Sequence, residues 1–215
     1  MTPRGLTVAV LIALIGRDAL AQGIVGGTLI EARSTRPLAC WDVELRTLSD
    51  SVLARSVTRS DGTFDFPAPA KGAHRFRFSA FGLHPLEATF ESAGPATDFE
   101  GAYSASLVLQ DPTGARMQRP LTPGTPRAVP GRGGPRYPDQ LRSDGIEGDV
   151  FAAFRIDSAG RVDSVGAFVW GATHREFERA TRRALHDMRF IIEPQPGRTP
   201  CAFVGTPFLF RLSKP

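Results

Sequence analysis

The stretch VFAAFRIDSAGR (residues 150–161) decides the fold of the C-terminal part of this chain. Val150, Ala152, Phe154 and Ile156 recur at every second residue, which reads as the inward face of a strand with a more polar face between. Ser158-Ala159-Gly160 supplies a turn, after which residues 161–169 resume an extended, β-branched pattern. The stretch therefore predicts a β-hairpin.

From Thr173 the period changes. Phe177, Ala180, Thr181, Ala184, Leu185 and Met188 recur at helical spacing, while Arg175, Glu178, Arg179, Arg182 and Arg183 point the other way. Thr173 with Glu176 three residues later has the form of a capping box and places the helix start at Thr173. Phe190-Ile191-Ile192, a turn-rich stretch over residues 194–200 and a last strand in which Phe208, Phe210 and Leu212 share one face complete the unit. The predicted architecture of residues 137–215 is α+β, in the order β-β-α-β, with one side of the sheet covered by the helix.

Upstream, residues 111–136 are dense in proline and glycine and carry Arg116, Arg119, Arg127, Arg132 and Arg136 against Asp111 alone. Such a segment builds no core and reads as a linker. Residues 23–110 read as all-β. Seven short extended runs, at 24–32, 40–48, 52–58, 63–67, 73–81, 85–91 and 104–110, are separated by turn chemistry such as Asp61-Gly62 and predict a seven-stranded sandwich. At the start, Arg4 precedes an apolar run over residues 6–15, and Ala19-Leu20-Ala21 offers a small-x-small site. This pattern predicts a signal peptide over residues 1–21, cut after Ala21, and hence export to the periplasm. The competing reading is an uncleaved anchor, although the run is well short of the roughly 20 residues needed to cross a bilayer.

Two families are resembled. Tyr137-Pro138, Ile146-Glu147-Gly148, the D-x-x-G-R turn from Asp157 to Arg161, Phe177, Ala180, Ala184 and Arg189-Phe190 stand in the order found in the TonB family's C-terminal domain, and the resemblance spans residues 135–213. Residues 26–28, Pro37-Leu38 ahead of the strand holding Val43, Ser60-Asp61-Gly62-Thr63-Phe64 and the strand ending in Phe81-Gly82 resemble the carboxypeptidase regulatory-like domain, a transthyretin-like sandwich that serves as an accessory module. The TonB resemblance implies a non-catalytic protein of a diderm envelope that binds an extended segment of another envelope protein, such as an outer-membrane transporter, by strand addition. It implies a binding edge along residues 203–212, with Phe203 and Val204, or along the strand at residues 189–193, with Arg189 and Phe190; Arg136 and Tyr137 form a second contact. Val204, away from the aromatics of the last strand, is the expected outward-facing position. Two departures stand out: Met188 occupies the place of an aromatic before Arg189-Phe190, and arginine and glycine precede Tyr137 where glutamine-containing sequence is typical. A TonB-type energy transducer with an uncleaved anchor, or an accessory module of an envelope enzyme, are the alternatives.

No enzyme motif is present. G-x-S-x-G, H-E-x-x-H, a P-loop and G-x-G-x-x-G after a strand are all missing. His74, His84, His174 and His186 are scattered, so no metal site is expected, and no cofactor either. Asp61, Asp157 and Asp163 sit in turns, where aspartate bonds local backbone, and read as structural. The net charge of +4 is modest and interleaved with acids, which argues against a nucleic-acid partner. The two cysteines, Cys40 and Cys201, form a disulfide in an oxidising compartment or remain two separate core thiols; without C-x-x-C spacing they form neither a zinc site nor a redox pair.

Overall fold

The computed structural model describes residues 7–15, 23–31, 34–94, 102–108, 126–131, 133–193 and 201–212. The chain divides into two compact units. One comprises Leu6–Ala80 and His84–Gln110; the other includes Phe81–Leu83 and Asp111–Pro215.

Among the described residues the first unit holds eight strands: β1 (Thr7–Ile15), β2 (Ile24–Glu31), β3 (Asp42–Thr47), β4 (Val52–Val57), β5 (Thr63–Pro67), β6 (Gly72–Ser79), β7 (Leu86–Ser92) and β8 (Ala102–Val108). They form two four-stranded antiparallel sheets in the orders β5-β2-β1-β8 and β4-β3-β6-β7. Strict alternation places His74, Phe76 and Phe78 of β6 inward with Arg75 and Arg77 outward, and Leu86, Ala88 and Phe90 of β7 inward with Glu87 and Glu91 outward. The two sheets meet through phenylalanine. Phe64 of β5 lies 5.1 Å from Phe76 and 5.3 Å from Phe78 of the other sheet, edge to face, and Phe76 stacks on Phe90 at 4.6 Å. A buried hydroxyl fastens the loop behind β3: Thr58 Oγ1 accepts the Trp41 N–H at 2.9 Å and donates to Leu38 O at 2.6 Å. Outside, Arg55 pairs with Glu44 and Arg75 with Glu87 across neighbouring strands, and Arg46 pairs with Glu44 of its own strand and with Asp50 of the turn that follows.

Each of the seven runs expected between residues 23 and 110 carries a strand. The eighth was not expected: residues 7–15, predicted to be the apolar region of a leader, lie as β1 between β2 and β8. A nine-residue apolar run suits a central strand as well as it suits a leader, because a strand paired on both sides needs no polar alternation to hold its place. The Ala19-Leu20-Ala21 site lies outside the described residues.

The second unit holds β9 (Arg127–Ala128), α1 (Asp139–Ser143), β10 (Gly148–Ile156), β11 (Phe168–Trp170), α2 (Arg175–Asp187), β12 (Phe190–Ile191) and β13 (Ala202–Phe210). Its three-stranded antiparallel sheet has the order β11-β10-β13, and β12 pairs with β9. The expected β-β-α-β order is present as β10, β11, α2 and β13. Val150, Ala152, Phe154 and Ile156 pack with Phe177, Ala180 and Leu185 of α2 and with Val204, Phe208 and Phe210 of β13.

Four local expectations change. The helix is capped one residue later than the capping box indicated: His174 is the N-cap, its Nδ1 accepting the Glu176 N–H, while Thr173 is spent on β10, its Oγ1 accepting the Asp149 N–H. The second hairpin strand is interrupted, because Asp163 Oδ1 accepts the Gly166 N–H and holds a turn, so the ladder resumes only at β11. The far end of the segment expected to be linker includes β9; the linker stretch 111–125 and Arg132 lie outside the described residues. Finally, both faces of β10 are apolar. Phe151 and Ala153, on the face away from α2, are as buried as the core and align with Trp170 and Phe168 of β11. The run VFAAF already carried that signal, since unbroken apolarity marks a strand buried on two sides.

Candidate functional site

The residues shared with the resembled TonB pattern turn out to be the fasteners of the second unit. Tyr137 donates its hydroxyl to Ile146 O at 2.6 Å and sets its ring edge-on against Phe177 and Phe210 at 5.6 and 5.7 Å. Glu147 Oε1 accepts the Leu212 N–H at 2.8 Å, which fixes the end of the last strand. Gly148 is a glycine because a Cβ there would meet Thr173 Oγ1 at 2.0 Å and the Phe177 ring at 2.5 Å. Asp157 Oδ1 accepts the N–H groups of Ala159 and Arg161, and Arg161 Nε donates to Oδ2. Burial acts to raise the Asp157 carboxyl, but the hydrogen bonds from Arg161 and Ala159 outweigh it and hold the group below its ordinary value.

Of the six residues expected to touch a partner, Arg136 is exposed and the others are engaged within the fold. Arg189 Nη1 donates to the carbonyls of His186 and Met188 and so closes the C-terminal end of α2. Phe190 packs at 5.7 Å from Phe154, and the Phe203 and Val204 side chains are buried. What these elements offer a partner is backbone.

Two edges were in question, and β12 carries partners on both sides. Arg189 O accepts the Val129 N–H at 2.8 Å, and the Phe190 N–H donates to Gly160 O at 2.8 Å. The β13 edge is different. In an antiparallel ladder, successive residues turn their N–H and C=O groups alternately to the two sides. Phe203 O accepts the Phe81 N–H at 3.1 Å and the Gly205 N–H donates to Phe81 O at 2.7 Å, so Phe203, Gly205, Pro207 and Leu209 face away from β10. Val204, expected to face outward, turns its backbone toward β10 and its side chain into the core against α2. Pro207 has no N–H, so past Gly205 the next outward donor on β13 is Leu209.

Residues 133–212 match the family model of the Gram-negative bacterial TonB protein C-terminal. This stretch is a TonB C-terminal-like domain. In TonB proteins that domain interacts with outer-membrane transporters, and such domains are periplasmic in Gram-negative bacteria. Among solved structures, the solution NMR structure of the Pseudomonas aeruginosa TonB C-terminal domain is 28% identical, with 42% of this chain and 89% of that chain covered and a TM-score of 0.36. No curated protein matches.

Sequence reasoning missed Phe81, Leu83 and Gly205, which meet at the β13 edge. No local pattern ties Phe81 to Gly205, since they lie far apart in the chain. Pro207 could have been noticed, because a proline inside a predicted strand marks an edge. Among the described residues, no group of histidine, cysteine, aspartate or glutamate could hold a metal, and no helix is long and apolar enough to cross a membrane.

Proposed function

We propose that this chain is a non-enzymatic protein of the periplasm whose TonB C-terminal-like domain binds an extended segment of an outer-membrane transporter by adding it as a strand to the outer edge of β13. The supporting observation is the pairing of that family match with a strand whose Phe203 and Gly205 backbone groups face away from the sheet. Main-chain hydrogen bonds supply affinity in this mode, so few side chains have to match. In the same reading the strands from β2 to β8 are a carboxypeptidase regulatory-like sandwich, an accessory module, and the chain reaches the periplasm by a leader cut after Ala21, which takes β1 with it.

The test is capture of detergent-solubilised outer-membrane transporters by the full chain and by Gly205→Pro, with circular dichroism to establish that the variant folds. Proline deletes the outward donor, so capture by wild type and its loss in the folded variant support the reading. Leu209→Pro serves as a second variant at an exposed outward position. Undiminished capture by both folded variants moves binding away from this edge.

A further inference from the structure

The β13 edge already holds an extended segment, and it comes from the chain itself. Phe81 forms a parallel bridge with Val204: its N–H donates to Phe203 O and its C=O accepts the Gly205 N–H. Those two bonds use the outward groups that flank Val204, as a strand added in parallel would use them. Two residues on, Leu83 sits over the glycine. A Cβ at Gly205 would meet Leu83 Cδ2 at 2.4 Å and Phe151 Cζ at 3.2 Å, so the missing side chain of Gly205 makes the seat for Leu83.

We propose that Phe81–Leu83 is a built-in occupant of this edge, closing the window at Phe203–Gly205 until an incoming strand displaces it. The proposal rests on the strand-addition reading above. The window is narrow because Pro207 removes the next outward donor, so one residue, Phe81, is enough to fill it. The occupant is also held lightly. It makes an isolated bridge rather than a ladder, and short pairings of this kind open at lower cost than the sheet they lie against. An incoming segment that pairs at Phe203 and Gly205 and reaches Leu209 makes every bond Phe81 makes and adds another. Apparent affinity then scales with the fraction of molecules whose edge is open, which makes Phe81–Leu83 a gate on binding.

The test compares the full-length wild type with Phe81→Pro, which removes the donor to Phe203 O, and with Leu83→Ser, which empties the Gly205 seat. Exchange of the Gly205 amide is followed by NMR. Binding is measured with a labelled synthetic peptide of residues 77–86, the chain's own occupant supplied in trans. The expected result is a protected Gly205 amide in wild type, exchange faster by about tenfold or more in the variants, and peptide binding about tenfold tighter in the variants than in wild type. Equal Gly205 exchange in all three proteins overturns the proposal, and so does peptide binding to wild type as tightly as to the variants. If Gly205 opens in the variants and the peptide binds none of the proteins, strand addition at this edge fails and the gate fails with it. That outcome differs from failure of the gate alone, in which the peptide binds wild type and variants equally.

Discussion

Gly160 and Phe190 hold the second unit closed, one from the turn after β10 and the other from the strand after α2. The Phe190 N–H donates to Gly160 O at 2.8 Å, and the Phe190 carbonyl lies so close that a Cβ on Gly160 would meet it at 1.9 Å. The tip of the β10 hairpin and the strand after α2 are thereby clasped, and Arg161 bridges Arg189 beside them. The D-x-x-G-R turn and the Arg189-Phe190 pair, far apart in sequence, are two halves of one device.

Gly160→Ala is expected to break the clasp. The residue sits at φ +74°, where a Cβ costs about 1–2 kcal/mol, and the contact with a backbone carbonyl cannot be relieved by a side-chain rotation. A loss of more than about 2 kcal/mol in denaturant unfolding of the second unit is expected. Gly131, also at positive φ but with nothing within 4 Å of the added Cβ, is the control, and Gly131→Ala should lose less.

Much of this architecture was legible because its signals are local. The two-residue period of β6 and β7, the 3.6-residue period of α2 and the Asp61-Gly62 turn each fall within a few residues. The outer edge of β13 was only half legible. Alternation tells which side chains share a face, but which backbone groups face outward depends on the register of β13 against β10, where Val204 pairs with Phe154. The shift of the helix start from Thr173 to His174 has a similar cause, since Thr173 fits the capping pattern but is drawn off by the Asp149 backbone across 24 residues. The occupant of the edge was illegible for the same reason: Phe81 and Gly205 are neighbours only in space.

Acid should weaken the hairpin through Asp157. Its folded carboxyl lies below the ordinary value of 3.8, so the carboxylate contributes stability above that value, and the contribution is lost as pH falls below 3.8 through the lower folded value. Asp157→Asn lacks this dependence. Thermal unfolding from about pH 6 down to about pH 2 should show wild type more stable at the upper end and the two proteins converging at the lower end. A gap that stays constant over the whole range would assign the effect of Asp157 to something other than its charge.

The apolar run at residues 6–15 has two exclusive uses, because a leader that is cut away contributes no strand. In the uncut chain it is β1, paired with Ile24–Glu31 on one side and Ala102–Val108 on the other. The export reading predicts that protein recovered from the periplasm begins at Gln22, which leaves β2 and β8 without the strand between them. Intact mass decides the matter. A chain beginning at Met1 or Thr2 would retain β1 and remove the leader from the proposal.

Cys40 and Cys201 stand in different units of the chain. As the only two cysteines of the chain, they are proposed to bond to each other, which fits an oxidising compartment and would be unusual in the cytosol. Closing a loop of about 160 residues restricts the unfolded chain, and the entropy model assigns such a bond up to about 5 kcal/mol, with strain and residual order reducing it. Periplasmic protein is expected to be lighter by two hydrogens before reduction than after. The Cys40→Ser, Cys201→Ser double variant is expected to unfold at lower denaturant than wild type, and reduced wild type should behave as the double variant does. Two alkylatable thiols in unreduced periplasmic protein would contradict the bond, and with it the redox argument for export.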